Sequence, residues 1–174
     1  MNAFIDLAKN RYSVRQFKNK PVSDDDIQKI IEAGRVAPTA CNNQPAKIYL
    51  VKSAEAMAKL NEVCPCIYGA PIAFVIAYDP GIAAKAGYAR PKGYGFGETD
   101  AAIVCTHMML EAADLGLGSC WVGYFKDFEV KEALGIPEDF VVANILPVGY
   151  EADGYVANEM HSTIRSKEEV VVEL

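Results

Sequence analysis

Pro71-Ile72-Ala73-Phe74-Val75-Ile76-Ala77-Tyr78 is an unbroken apolar run of strand length, bounded by Gly69 on one side and by Asp79-Pro80 on the other. A short continuous apolar run rich in β-branched and aromatic residues reads as a buried central strand. Even extended to Ala70–Tyr78 it is far too short to cross a bilayer as a helix. Upstream, Ala46–Lys52 reads as a second strand, and Ser53 caps a short helix over Ala54–Val63. Downstream, Phe140–Val148 is a further buried strand, and Ser119–Phe125 a short strand or turn.

Helices fill the intervals. Phe4, Ile5, Leu7 and Ala8 form one side of a helix stopping near Asn10, and Ser23 caps a helix whose first turn carries Asp24, Asp25 and Asp26. That helix repeats Ile27, Ile30, Ile31 and Gly34 at helical spacing and ends at Ala37-Pro38. Thr99 opens the strongest helix, with Ala101, Ala102, Cys105, Met108, Met109, Ala112 and Leu115 in a stripe that Gly116 closes. Its His107 falls on the side of Asp100, Glu111 and Asp114, which reads as a solvated or interface side. Asp127–Leu134 is one more helix, stopped by Gly135-Ile136-Pro137. Helices alternate with strands, yet the crossovers are not uniformly helical, so the class is α+β with a central sheet. The glycine- and proline-rich stretch from Asp79 to Gly97 is a long irregular loop, and loops of that length are usually functional. The terminal run Val170-Val171-Val172-Glu173-Leu174 gains little unless it adds to a sheet edge, its own or a partner's.

The 174 residues correspond to one domain, about 16 Å in radius of gyration. With 51% hydrophobic and 23% charged residues the chain can build a packed core. Seventeen basic against 23 acidic residues give a net charge of −6, which argues against a nucleic-acid binder but leaves room for a local anion site. The N-terminus has no apolar block after a basic leader, since Asp6 and Lys9 interrupt it, so a cytoplasmic protein without a membrane anchor is expected. Five cysteines, Cys41, Cys64, Cys66, Cys105 and Cys120, fit reduced thiols. Only Cys64-Pro65-Cys66 is a close pair, and a tetrahedral metal site would need a second, so no metal is expected.

Three segments carry chemistry. In Arg11-Tyr12-Ser13-Val14-Arg15, an extended backbone would turn positions 11, 13 and 15 to one side, giving two guanidinium forks and a hydroxyl for a phosphate or carboxylate. The alternative is two solvated arginines. Ala37-Pro38-Thr39-Ala40-Cys41-Asn42-Asn43-Gln44-Pro45 gathers amides suited to the edge of a heterocycle, although residues of this type also make turns that need no ligand. Gly116-Leu117-Gly118-Ser119-Cys120-Trp121-Val122-Gly123 imitates a dinucleotide fingerprint, but Trp121 stands where a third glycine is required and the segment follows a helix. Gly93-Tyr94-Gly95-Phe96-Gly97 fails in the same way, and Leu117 spoils a hydrolase elbow around Ser119. His161 lies in a polar tail, and no histidine stands near a plausible nucleophile.

Taken in order, these segments resemble the nitroreductase family of flavin mononucleotide enzymes, over nearly the whole chain. The resemblance rests on Arg11 to Phe17, Ala37 to Pro45, Asp100 opening its helix, Leu115-Gly116-Leu117-Gly118 leading to Cys120-Trp121, Val148-Gly149-Tyr150, and Arg165 followed by Glu168-Glu169-Val170. It implies a nitroreductase-like fold, a mostly antiparallel sheet flanked by helices, in an intertwined homodimer with FMN at the interface. Residues 151–174 would embrace the partner, and residues 83–97 would form the lid. Arg11, Tyr12 and Ser13 match the phosphate segment, with Arg165 joining it; Arg15 matches the basic residue beside the flavin pyrimidine, and Asn61 a polar residue at its edge. Pro38, Thr39, Ala40 and Asn42 match the loop supplied by the other subunit, while Cys120, Trp121, Val122 and Gly123 match the segment along the flavin. Tyr12 replaces a more usual arginine or histidine, Thr39 a serine, Ala46 an aromatic, and Thr163 a second basic phosphate contact. The implied activity takes hydride from NADH or NADPH and reduces a nitroaromatic, quinone or related small-molecule acceptor by ping-pong turnover, the flavin and no protein side chain carrying the chemistry. The alternatives are a same-fold reductive dehalogenase or flavin-modifying enzyme, and a non-enzymatic flavin-binding redox sensor or carrier.

Overall fold

The computed structural model describes residues 3–85, 87 and 95–174. The long apolar run forms β2 (Ile72–Tyr78), buried at every position but the last. It pairs antiparallel on one side with β1 (Ala46–Val51), Ile48 facing Ile76, and on the other with β4 (Val141–Gly149), Phe74 facing Leu146. The two-residue β3 (Gly118–Ser119) pairs antiparallel with the end of β4, Gly118 facing Gly149. Among the described residues these strands make one sheet in the order β1-β2-β4-β3.

Alternation along β2 divides the core in two. Ile72, Phe74 and Ile76 pack with Ile27 and Ile30 of α2 (Asp24–Arg35) and with Ala101, Val104 and Met108 of α4 (Gly97–Asp114). Ala73, Val75 and Ala77 pack on the opposite side with Met57 and Leu60 of α3 (Ala54–Val63) and Val130 of α5 (Asp127–Leu134). The result is a sheet with a helical layer on each face, which is why β2 has no polar side. α2 and α4 approach closely at Gly34, where an added Cβ would stand 2.8 Å from Met108 Cγ.

Local chemistry sets the boundaries. Ser23 Oγ accepts the Asp26 N–H at 3.1 Å and Ser53 Oγ the Ala56 N–H at 3.2 Å. Gly135 ends α5 in the left-handed region at φ +67°. α4 starts two residues before Thr99, because Gly97 fits under the Tyr78 ring where any Cβ would collide with it.

The C-terminal expectation of a sheet-edge strand is not met within the chain. Ser166 forms a capping box with Glu169, turning Lys167–Val170 into a one-turn helix, α6. Residues 171–174 are exposed and in no strand. The expected lid over residues 83–97 is described only at its ends: Lys85 bridges Gly95, and Phe96 N–H donates to Ala84 O at 3.0 Å. Residues 86 and 88–94, with Gly93 and Tyr94 of the glycine motif, lie outside the described residues. No described helix is long and apolar enough to cross a membrane.

Candidate functional site

The segment after α1 (Ala3–Asn10) is extended and lies along the end of the sheet. Buried Val14 is its anchor: its N–H donates to Ser119 O at 2.9 Å, and Ser13 bridges Ser119 in parallel. Gly118 makes this approach possible, since a Cβ there would come within 2.7 Å of Val14 Cγ2. Lys18 N–H to Tyr150 O, 2.8 Å, and Ala152 N–H to Gln16 O, 3.0 Å, hold the far end.

With Val14 turned inward, Arg11, Ser13 and Arg15 line one cavity of about 480 Å³, as a period of two predicts, although the separation by parity is incomplete. Tyr12 lines it too, with Asn158 and His161 closing the opposite side. The backbone is fixed by a residue that the sequence did not single out: Tyr155 Oη accepts the Arg15 N–H at 3.2 Å and donates to Ser13 O at 3.1 Å. Tyr12 stacks on Tyr155 with centroids 6.3 Å apart and donates its hydroxyl to Glu151. That bond to a carboxylate, with burial and the charge of Glu151 adding to it, pushes the Tyr12 phenol up to about 12.

Cys120, Trp121, Val122 and Gly123 continue from β3. Cys120 N–H donates to Pro147 O at 3.3 Å, Val122 exchanges both backbone bonds with Ile145 at 2.9 and 3.0 Å, and Gly123 is exposed. Trp121 packs against the α2–α4 side of the core. Burial pushes the Cys120 thiol up, while Arg15 and a hydrogen bond from Ser13 pull it back part of the way, so Cys120 is a protonated thiol rather than a nucleophile. Beside it, Tyr68 sits at φ +57°; its hydroxyl is held up first by Cys66 and then by burial, with Arg15 opposing. Burial likewise raises the Cys64 thiol. Among the described residues no group of three or more metal-binding side chains comes together.

The amide-rich loop lies at the start of α4. Asp100 is 1% exposed and its Oδ1 accepts the Ala40 N–H at 2.9 Å. Of the side expected to be solvated or at an interface, through Asp100, His107, Glu111 and Asp114, the two ends differ: the helix buries its first turn under the loop, so Asp100 is enclosed, whereas Asp114 is exposed. Cys41, Asn42 and Gln44 have φ of +55°, +54° and +52°, uncommon for residues other than glycine. Thr39 Oγ1 accepts the Gln44 N–H at 3.0 Å, and Asn43 Nδ2 donates to Ile82 O at 2.9 Å. Pro38 and Asn42 are exposed, Thr39 and Ala40 half-buried, and none of the four lines the arginine cavity.

Two further candidates also lie apart from it. Asn61 is exposed and donates its side-chain amide to Met57 O within its own helix, and Arg165 is exposed, 3.7 Å from Glu169. The residues that sequence reasoning missed, Tyr155, His161 and the buried role of Asp100, have no local signature; only the folding of the tail back onto residues 11–15 brings the first two in.

Behind the cavity, Ser119 Oγ on β3, the bridge partner of Ser13, is buried without a hydrogen-bond partner among the described residues. With the paired arginines and the Ser13 hydroxyl, the donor set is that of a phosphate group with a neighbouring polar ring, which FMN supplies.

Comparison with known proteins gives the same frame. The nitroreductase family model matches residues 8–67 and 64–150. A protein of Archaeoglobus fulgidus described as a putative NADH dehydrogenase/NAD(P)H nitroreductase is 30% identical over 169 residues, spanning 91% of this chain and 93% of its own length. A crystal structure of a nitroreductase family protein from Clostridium difficile 630 superposes with a TM-score of 0.88 at 34% identity, covering 99% of this chain and 98% of that one. A nitroreductase from Bacteroides fragilis with bound FMN superposes with a TM-score of 0.81 at 25% identity, covering 99% and 100%.

Proposed function

The chain belongs to the nitroreductase family, and from that premise we propose that it is an FMN-dependent oxidoreductase, passing electrons from NADH or NADPH to a nitroaromatic, quinone or related small molecule by ping-pong turnover. The observation that carries this is the cavity in which Arg11, Ser13 and Arg15 meet. FMN supplies the chemistry when bound, accepting hydride from the nicotinamide and returning electrons to the acceptor.

The protein's own residues bind and orient. Arg11 and Ser13 would hold the phosphate, Arg165 would join them only by leaving Glu169 on the tail, and Tyr12 stays a neutral phenol fixed on Glu151. Arg15 keeps its charge beside the pyrimidine edge, where a cation stabilises the negative charge of the reduced ring, and Asn61 serves the same edge. The Cys120–Gly123 segment would run along the isoalloxazine, with the exposed Gly123 supplying a backbone N–H, since those of Cys120 and Val122 are taken by Pro147 and Ile145. Pro38, Thr39, Ala40 and Asn42 serve the flavin of a second copy of the chain. The whole chain, 1–174, is then one FMN-binding unit in a cytoplasmic homodimer. Residues 151–174 embrace the partner through exposed Val156, Ile164, Val170 and Val172.

The test is a visible absorption spectrum of the purified protein with added FMN, before and after anaerobic NADH or NADPH. Flavin bands that bleach, with parallel double-reciprocal lines in steady state, are expected. Absence of bound flavin overturns the proposal, and bound flavin that neither nucleotide bleaches points instead to a sensor or carrier.

A further inference from the structure

His161 enters the site from a turn of 3-10 helix, Glu159–Ser162, that Asn158 caps by accepting the Met160 N–H at 2.9 Å. Its Nε2 lies 3.0 Å from the backbone carbonyl of Lys9, at the end of α1 and two residues before Arg11. A carbonyl only accepts, so Nε2 carries the hydrogen and Nδ1 keeps a lone pair. No described residue partners Nδ1. The ring is set by Tyr12, tilted by 58° with centroids 5.6 Å apart, and it lines the same cavity as Arg11, Ser13 and Arg15.

The surrounding charges decide what that nitrogen does. Arg11 and Arg15 face the cavity, and no carboxylate lines it among the described residues. Glu151 is occupied by the Tyr12 hydroxyl; Glu159, on the same turn as the imidazole, is exposed, as is Lys9. Two guanidinium groups leave the cavity electropositive and suited to an anion. A phosphate monoester fits there: its dianion balances the two guanidinium charges, so a further hydrogen-bond donor on the imidazole meets no net positive charge.

On the premise that this cavity takes the FMN phosphate, we infer that His161 is a phosphate ligand, taking up a proton on Nδ1 when the phosphate enters and donating it as a charge-assisted hydrogen bond. The proton comes from solvent, and no bond to the cofactor forms or breaks. His161 then occupies the role of the basic residue that Thr163 lacks, and it discriminates FMN from riboflavin, which has no phosphate.

Two histidines in the chain, His107 and His161, make the test direct. In the wild-type apoprotein, the imidazole nitrogen resonances of His161, assigned with His107→Gln, shift toward the imidazolium position on adding FMN and stay unmoved with riboflavin. In parallel, His161→Gln weakens FMN binding about tenfold at about pH 6 and leaves riboflavin binding unchanged. An FMN complex in which His161 remains neutral, or a folded His161→Gln that binds FMN as tightly as wild type, overturns the inference and leaves the FMN proposal standing. FMN that binds no more tightly than riboflavin to wild type overturns both.

Discussion

Gly118→Ala isolates the contact that builds the arginine cavity. The added methyl carbon would stand 2.7 Å from Val14 Cγ2, 2.9 Å from Cβ and 3.1 Å from Cγ1. All three atoms belong to a β-branched side chain that is 2% exposed, so no rotamer change takes Val14 out of the way. The segment must move as a body, which loosens the 2.9 Å bond from Val14 N–H to Ser119 O. Overpacking of this kind costs about 1–3 kcal/mol and the strained backbone bond about 1 kcal/mol more, so a loss near 3 kcal/mol is expected. In a chain of this size that lowers the melting temperature by roughly 6–12 °C. Because Arg11, Ser13 and Arg15 ride on the displaced segment, FMN binding weakens in the same variant. Gly123→Ala is the control: its Cβ meets nothing within 4 Å, so the apoprotein should melt as wild type does. Thermal denaturation of the apoproteins and fluorimetric FMN titration read both effects. A Gly118→Ala protein that melts and binds FMN as wild type refutes the coupling between β3 and the cavity.

Asp100→Ala strips the acceptor from the Ala40 N–H and leaves a buried amide unpaired, at a cost of about 2–3 kcal/mol; Asp100→Asn, which keeps an oxygen for that bond, loses less, and chemical denaturation ranks the two. Tyr155→Phe removes both hydroxyl bonds to the Ser13–Arg15 backbone and should weaken FMN binding several-fold with little change in the fold, checked by titration and circular dichroism. The Tyr12 phenol, raised from 10.0 to about 12, binds its proton more tightly in the folded state than in the unfolded one. Its contribution to stability is therefore complete below about pH 10 and is lost as pH rises toward 12, a loss that Tyr12→Phe abolishes in alkaline denaturation curves.

The fold was legible because its central element is unambiguous: β2 is apolar at every position, and both neighbouring layers announce themselves by Ser23, Ser53 and the stripe through Ala101, Cys105, Met108 and Ala112. The period-two reading of Arg11, Ser13 and Arg15 follows from backbone geometry, and one cavity receives all three. A helical wheel leaves the Asp100 side open between solvent and interface, because it assigns sides by neighbours on the same helix, whereas the surroundings of Asp100 are set by a loop sixty residues earlier in the chain. Tyr155 and His161 were invisible for a related reason. Each meets its partners only after the tail crosses back over residues 9–15, in contacts separated by 142 and 152 positions that no local pattern encodes. The terminal valines suit a sheet edge, the chain's own or a partner's; within the chain the capping chemistry of Ser166 and Glu169 takes Val170 into a helical turn, and residues 171–174 pair with no strand.

The amide-rich loop supplies the last step. Cys41 and Gln44 hold left-handed backbone angles at a cost of order 1 kcal/mol each, with Asn42, a residue more tolerant of them, between. Such strain persists only where the surroundings over-determine it, and here a buried carboxylate, a threonine hydroxyl and the Ile82 carbonyl do so. None of these bonds needs Pro38 or the exposed face of Asn42, which the loop presents outward, away from the lining of its own chain's arginine cavity. A loop held this stiffly and turned outward is preorganised for a surface that the chain does not itself contain. In the proposed dimer a second copy, with its own arginine cavity, would provide that surface. Loop and cavity on one chain are then two halves of different sites, and Asp100→Ala should weaken FMN binding through the neighbouring subunit. Mixing Asp100→Ala with Arg11→Ala protomers tests this: heterodimers regain one intact site where each parent has none, whereas a site built within one chain would regain nothing.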